Sequence, residues 1–301
     1  MSANDLFARI TRQIADAVAA GADNYVMPWH RWGQGLAQPA NAVSGRQYRG
    51  VNVLLLWATA ERQGFRSGRW ATFRQWTDAG AQVRKRERGT AIFFWKSSAL
   101  GGDDDDTEGA RLRPRYIARV YWVFNEAQVD GAAPALPQPS LSPEERIAVA
   151  EAFVAATGAQ ICHGGDQACF VPSGDQIRMP KFEQFRSAQA YYAVACHELI
   201  HWSGAKHRLA RDLNGRFGRE SYAMEELVAE LGSAFLSAHL GLSVEPRPDH
   251  AGYVASWLRV LNGDSRAILT ASARAQEAVD YLLELSASAE DAHTPSSSRA
   301  A

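Results

Sequence analysis

The sequence predicts an α+β protein in two domains, an N-terminal α+β unit followed by a mainly helical unit with a small β-sheet. Three changes along the 301 residues carry that division. The first is charge: from Trp29 to Lys96 twelve Lys and Arg face three acids, a balance of +9, whereas from Pro134 onward fourteen bases face twenty acids, a balance of −6. The second is aromatic density, with six of the nine tryptophans lying between Trp29 and Trp95. The third is the Pro-, Ala- and Gly-rich stretch from Val129 to Pro143, which has the composition of a linker. The expected layout is a first domain over 1–130, a linker over 131–143, a second domain over 144–288 and a disordered tail over 289–301, within a Ser/Ala/Thr-rich end that starts near Ser286.

Each element follows from local pattern. Leu6, Ile10, Ile14 and Val18 recur at helical spacing and predict an amphipathic helix over 6–18. Asn52 to Gln63 reads as a second helix and Trp70 to Ala79 as a short third one. Val83 to Trp95 predicts a hairpin that turns at Glu87-Arg88-Gly89, with Phe93 and Phe94, like Trp57, assigned to the core. Ser97 to Arg111, with four consecutive aspartates, has no means of burying a core and is expected to be a mobile loop. Tyr116 to Asn125 alternates like a strand returning to the same sheet. Beyond the linker, Pro143-Glu144-Glu145 opens a helix to about Thr157, and short β segments follow at 159–162, 168–172 and 175–179. The rest predicts helices: one from Ser187 to Gly204, an acidic one from Tyr222 to Gly241, then 253–261 and 264–285.

The chemistry concentrates in His197-Glu198-Leu199-Ile200-His201. Residues four apart on a helix lie one turn apart on one face, so both histidines can turn a nitrogen to one ion. Glu198, one step on, can serve as general base toward a water molecule there, the zinc-peptidase arrangement. Such a site needs a third protein ligand and an open position, and two candidates compete. His207 fits a longer three-histidine pattern in which Gly204 turns the chain. Glu226 lies on the acidic helix and shares a face with Glu230, which is then placed to hold a ligand histidine by its other ring nitrogen. Acids on an otherwise core-like helix face are costly to bury unless paired or ligating, which favours Glu226. Glu225 points about 100° away from Glu226 and is expected to be solvated. A set of two histidines and a carboxylate takes zinc by default and also accepts manganese or cobalt.

Composition excludes other classes. No apolar run approaches the roughly 18 residues of a membrane span, and the N-terminus lacks a signal-peptide pattern. Cys162, Cys169 and Cys196 make no disulfide framework and no common zinc spacing, so they are expected to be reduced thiols of a cytoplasmic protein. In the basic half, Arg84, Lys85, Arg86 and Arg88 form the densest cationic cluster, and Trp29 and Trp32, next to Pro28, His30, Arg31 and Gly33, are candidate stacking surfaces. Cations that track phosphates and aromatic faces that stack bases are what sequence-tolerant binding of single-stranded DNA requires. No motif for base-specific duplex readout is present.

Pro28-Trp29, Pro39 with Asn41-Ala42, Gly45 to Asn52, Trp70 to Gln75 and Val123-Phe124-Asn125 resemble the N-terminal domain of the ArdC-type antirestriction proteins of conjugative plasmids, a domain shared with some plasmid primases. His197 to Gly204 and Tyr222 to Gly241 are similar to the zincin-like metallopeptidase domain of that family. The resemblance implies a cytoplasmic protein that binds incoming single-stranded DNA and protects it from restriction; the candidate peptidase substrate is a host restriction-system protein. Arg49 and Arg74, inside the matched motifs, join the expected DNA-contacting residues. The family pattern requires no histidine at the position of His207. Two readings stand at this point: an active metallopeptidase brought to its work by a DNA-binding domain, and a DNA-protecting binding module whose peptidase-like half is inactive or structural.

Overall fold

The computed structural model describes residues 3–21, 29, 38–98, 115–133, 142–211, 219–242 and 251–293. In chain order the N-terminal half holds α1 (Ala3–Gly21), β1 (Ala40–Asn41), α2 (Val51–Gln63), β2 (Arg69–Thr72), α3 (Phe73–Asp78), β3 (Gln82–Val83), β4 (Thr90–Ser98), β5 (Arg115–Asn125) and β6 (Val129–Asp130). The C-terminal half holds α4 (Pro143–Ala156), β7 (Gln160–His163), β8 (Cys169–Val171), β9 (Gln176–Met179), α5 (Ala188–Ser203), α6 (Arg219–His239), α7 (Ala251–Gly263) and α8 (Ala267–His293).

The N-terminal half is built on a four-stranded sheet of order β1-β2-β5-β4, in which only the β1–β2 pair is parallel. Leu56 and Ala60 of α2 cover one face at Trp70, Ile92 and Val123. Trp76 of α3 and the β3–β6 ribbon cover Ala71 on the other. Asn52 on α2 exchanges two 2.8 Å hydrogen bonds with the backbone of Phe93, which satisfies the outer side of edge strand β4.

Four local expectations are corrected here. Trp70 to Ala79 is not one helix: Trp70 to Thr72 is strand, and Thr72 then caps α3 by accepting the Gln75 backbone N–H in a reciprocal capping box. The expected Val83–Trp95 hairpin is absent because β3 pairs with β6, while β4 forms its long hairpin with β5. Phe94 is 58% exposed and not in the core; strand alternation sends Phe93 inward and its neighbour outward. The end of the chain continues as α8 to His293, with Ser286 buried, instead of ending order at Ser286 or 289. The aspartate loop from 99 onward and the linker positions 134–141 lie outside the described residues.

In the C-terminal half, β7-β9-β8 form a small sheet in which β8 is an antiparallel edge strand. Helices α5 and α6 pack side by side, flanked by α4, α7 and α8. One apolar cluster joins the two halves: Phe7, Ile10, Ile14 and Val18 of α1 belong to the same core as Trp257 of α7 and Leu282 of α8. The loop before α2 adds polar ties, since Gly50 (φ +56°, a conformation glycine adopts without strain) donates its N–H to Gln276 on α8 at 3.0 Å.

Candidate metal centre and candidate nucleic-acid interface

Helix α5 starts where Ser187 accepts the Ala190 backbone N–H at 3.0 Å, and it stops at Gly204. Within it His197 and His201 turn their Nε2 atoms to one point, 3.1 Å apart. The facing helix α6 supplies Glu226, whose two oxygens lie 3.6 Å from His197 Nε2 and 3.6 Å from His201 Nε2. Among the described residues these three form the group that could hold a metal ion. Donors around a tetrahedral ion with bonds of about 2.0–2.1 Å stand about 3.4 Å apart, so these spacings fit an ion at their centre. Burial raises the carboxyl pKa of Glu226, but the two histidines and the Tyr222 hydroxyl lower it more, and it falls to about 2. The acid is therefore an anion at neutral pH, as a ligand must be.

The helices reach this distance because Gly232 of α6 meets Ile200 of α5: a Cβ there would stand 2.7 Å from Ile200 Cδ1. Ser233 beside it donates to Ala193 O at 3.0 Å.

Each histidine has a carboxylate behind its other ring nitrogen. Glu230 Oε2 lies 3.5 Å from His197 Nδ1, and Glu225 Oε1 lies 3.4 Å from His201 Nδ1. Such partners hold the tautomer that leaves Nε2 available to a metal. Glu225 corrects the expectation of a solvated acid. It is 3% exposed and receives Arg211 Nε at 3.1 Å and Nη2 at 3.0 Å. Burial acts to raise its pKa, yet the His201 hydrogen bond and the Arg211 charge together lower it. Glu198 is buried on the same helix. On edge strand β8, burial first and the Glu198 charge second raise the pKa of the Cys169 thiol.

His207 points elsewhere. It is 63% exposed and lies 3.3 Å from Asp175, and the next residue, Arg208, is bound to the same Asp175 by two 2.6 Å hydrogen bonds. The three cysteines are free thiols. Cys162 and Cys169 both stand in register with Arg178, on opposite sides of β9, which puts them about 9–10 Å apart by strand spacing and beyond disulfide reach.

The expected DNA-contacting residues scatter. Trp29 is wholly buried against Trp257, so it is no stacking surface, and Trp32 lies outside the described residues. Arg49 pairs with Asp280 on α8, tying the halves together. Arg84 is engaged by Glu87 at 3.0 Å and Asp130 at 3.4 Å. Arg74 is 91% exposed, 3.5 Å from Asp78. Lys85, Arg86 and Arg88 are exposed, and the last two line a cleft of about 640 Å³ with Arg9 of α1, Arg62 of α2 and Trp122 of β5. Glu87 also lines it, occupied by Arg84 and the Gln128 amide. Trp122, 55% exposed, is the aromatic that sequence reasoning missed. The available signal was alternation along β5, where Val123 faces the core and Trp122 must face the other way.

Two family models match the chain, the N-terminal domain of anti-restriction factor ArdC over residues 4–124 and a zincin-like metallopeptidase over residues 148–274. The uncharacterized protein y4eC of Sinorhizobium fredii (strain NBRC 101917 / NGR234) is 52% identical over 285 residues, covering 92% of this chain and 91% of that protein. A DNA primase TraC of Escherichia coli is 38% identical over 292 residues, 91% of this chain but 27% of the primase. Among solved structures, the antirestriction ArdC protein from plasmid R388 is similar in its metal-free form, at 37% identity and TM-score 0.76, with 94% of this chain and 98% of that one covered. Its Mn(II)-bound form is similar at 38% identity and TM-score 0.73, with the same coverage. No described helix is long and apolar enough to cross a membrane.

Proposed function

The chain belongs to the ArdC-type antirestriction family, with a zincin-like C-terminal half, and from that premise we propose that it protects incoming plasmid DNA in the cytoplasm as a single-stranded-DNA-binding metallopeptidase. The observation that carries the catalytic half is the meeting of His197 Nε2, His201 Nε2 and Glu226 at spacings of 3.1, 3.6 and 3.6 Å. These three are the proposed ligands of one divalent ion, zinc by default; the Mn(II)-bound R388 relative supports manganese as an occupant, and cobalt suits the same donors. When bound, the ion supplies Lewis acidity toward a peptide carbonyl. Glu198 takes the proton of the attacking water and passes it to the leaving amine. Glu225 and Glu230 hold the ligand histidines. Edge strand β8 offers backbone groups to an extended segment of substrate, proposed to be a protein of the host restriction system.

The DNA-binding half rests on the cleft. Arg9, Arg62, Arg86 and Arg88 surround one exposed indole, Trp122, a combination that serves phosphates and a stacked base together. Metal analysis of the purified protein, followed by a DNA-protection assay of wild type against Glu198→Ala, tests the whole proposal. The expected result is stoichiometric metal in both proteins and protection in the wild type alone. Equal protection by Glu198→Ala would mean that hydrolysis does not defend the DNA, leaving a protecting module that works through the cleft.

A further inference from the structure

The two histidines are backed by carboxylates that are themselves held in different ways. Glu225 is fixed by Arg211, fourteen residues before it in the chain. Glu230 is fixed from the other half of the molecule: the Trp29 indole donates its Nε1–H to Glu230 Oε1 at 3.2 Å, across 201 positions of sequence. The other oxygen of the same carboxylate faces His197 Nδ1 at 3.5 Å. Glu230 is 3% exposed and Trp29 wholly buried, with its ring 6.1 Å from that of Trp257. We propose that Trp29 is a positioning residue of the metal centre, so that the N-terminal half sets the metal affinity of the C-terminal half. This rests on the reading of His197, His201 and Glu226 as ligands.

The physical reason lies in how a buried carboxylate is oriented. A carboxylate removed from water keeps its charge and its orientation only where N–H or O–H groups meet its oxygens. With the indole on Oε1, Oε2 faces His197 Nδ1, a contact that favours the Nδ1–H tautomer and leaves Nε2 for the ion. Without the indole, Glu230 loses one of the bonds that orient it, and its hold on His197 loosens. Trp29 lies inside the stretch that matches the antirestriction N-terminal domain, so this contact joins the two matched regions at one atom pair.

The test is a double-mutant cycle on the full-length protein, with affinities for Mn(II) and Zn(II) measured by chelator competition and folding checked by thermal unfolding. Trp29→Phe keeps an aromatic ring and removes the N–H; it is expected to weaken metal binding by about tenfold, at the low end of the 10–100-fold expected for Glu230→Gln. Because both act through one carboxylate, the double variant should bind no more than about twofold more weakly than Glu230→Gln alone. Trp257→Phe, which trims the packing without touching the hydrogen bond, should leave affinity within about twofold of wild type. Unchanged affinity in a folded Trp29→Phe, or losses that multiply in the double variant, overturns the proposal. If Trp29→Phe does not fold, Trp29→His, which keeps a ring N–H, is measured in its place: retained affinity supports the proposal, and a tenfold loss in a folded protein rejects it. A wild type that binds neither ion removes the ligand reading itself, and this inference with it.

Discussion

The proposed metal centre and the arginine cleft are opposite kinds of site. In the first, Glu225, Glu226, Glu230, His197 and Glu198 are all buried, and Glu225, Glu226 and Glu230 each face a named partner. In the second, Arg9, Arg62, Arg86 and Arg88 stand in solvent around one indole, the five residues coming from four separate segments. A buried set is interdependent, because removing one member strands another's charge in low dielectric. A solvated set is nearly additive, because water replaces whatever is lost. Single substitutions should therefore collapse the first site and only grade the second.

The largest expected effect is at the proposed ligands. Glu226→Ala should lose stoichiometric metal, read by elemental analysis after dialysis, while His207→Ala should keep it; the reverse would reinstate the three-histidine arrangement. Next comes Arg211→Ala, which leaves Glu225 buried without its cation and should cost about 3–5 kcal/mol in denaturant unfolding with chelator present. A cost below 1 kcal/mol would show that Glu225 finds water, and the contrast between the sites would weaken. Gly232→Ala follows. The added methyl meets Ile200, itself fully buried, so overpacking should cost about 1–3 kcal/mol and also lower metal affinity by spreading α5 from α6. Metal affinity equal to wild type in that variant would mean that the helix spacing is not tuned by this contact.

The smallest effects are expected in the cleft. Trp122→Ala should weaken binding of a single-stranded oligonucleotide by about 1–3 kcal/mol without changing its salt dependence. Arg86→Ala should instead flatten the slope of log affinity against log salt by about 0.7, the share of one phosphate on a single strand. Titrations at several salt concentrations separate the two. Tighter binding of duplex than of single strands at equal salt would count against the cleft as a single-strand site.

The long elements and the pairing within each helix were legible because both depend on local geometry. Helical spacing alone put His197 and His201 on one face and Glu226 with Glu230 on another, and Ser187 and Gly204 marked the ends of α5. Strand alternation was also legible, although it was not carried far enough to send Phe94 outward or to find Trp122. What local pattern cannot contain is the identity of the facing group. Glu225 looked solvated because its own helix offers no partner, and it is buried because Arg211 folds back onto it. Trp29 looked like a stacking surface because its neighbours are polar, and it is buried because α7 and Glu230 close over it. Spacing along the chain determines the direction in which a side chain leaves its own helix or strand; only the packing of distant elements decides whether it meets water, a charge or a ring.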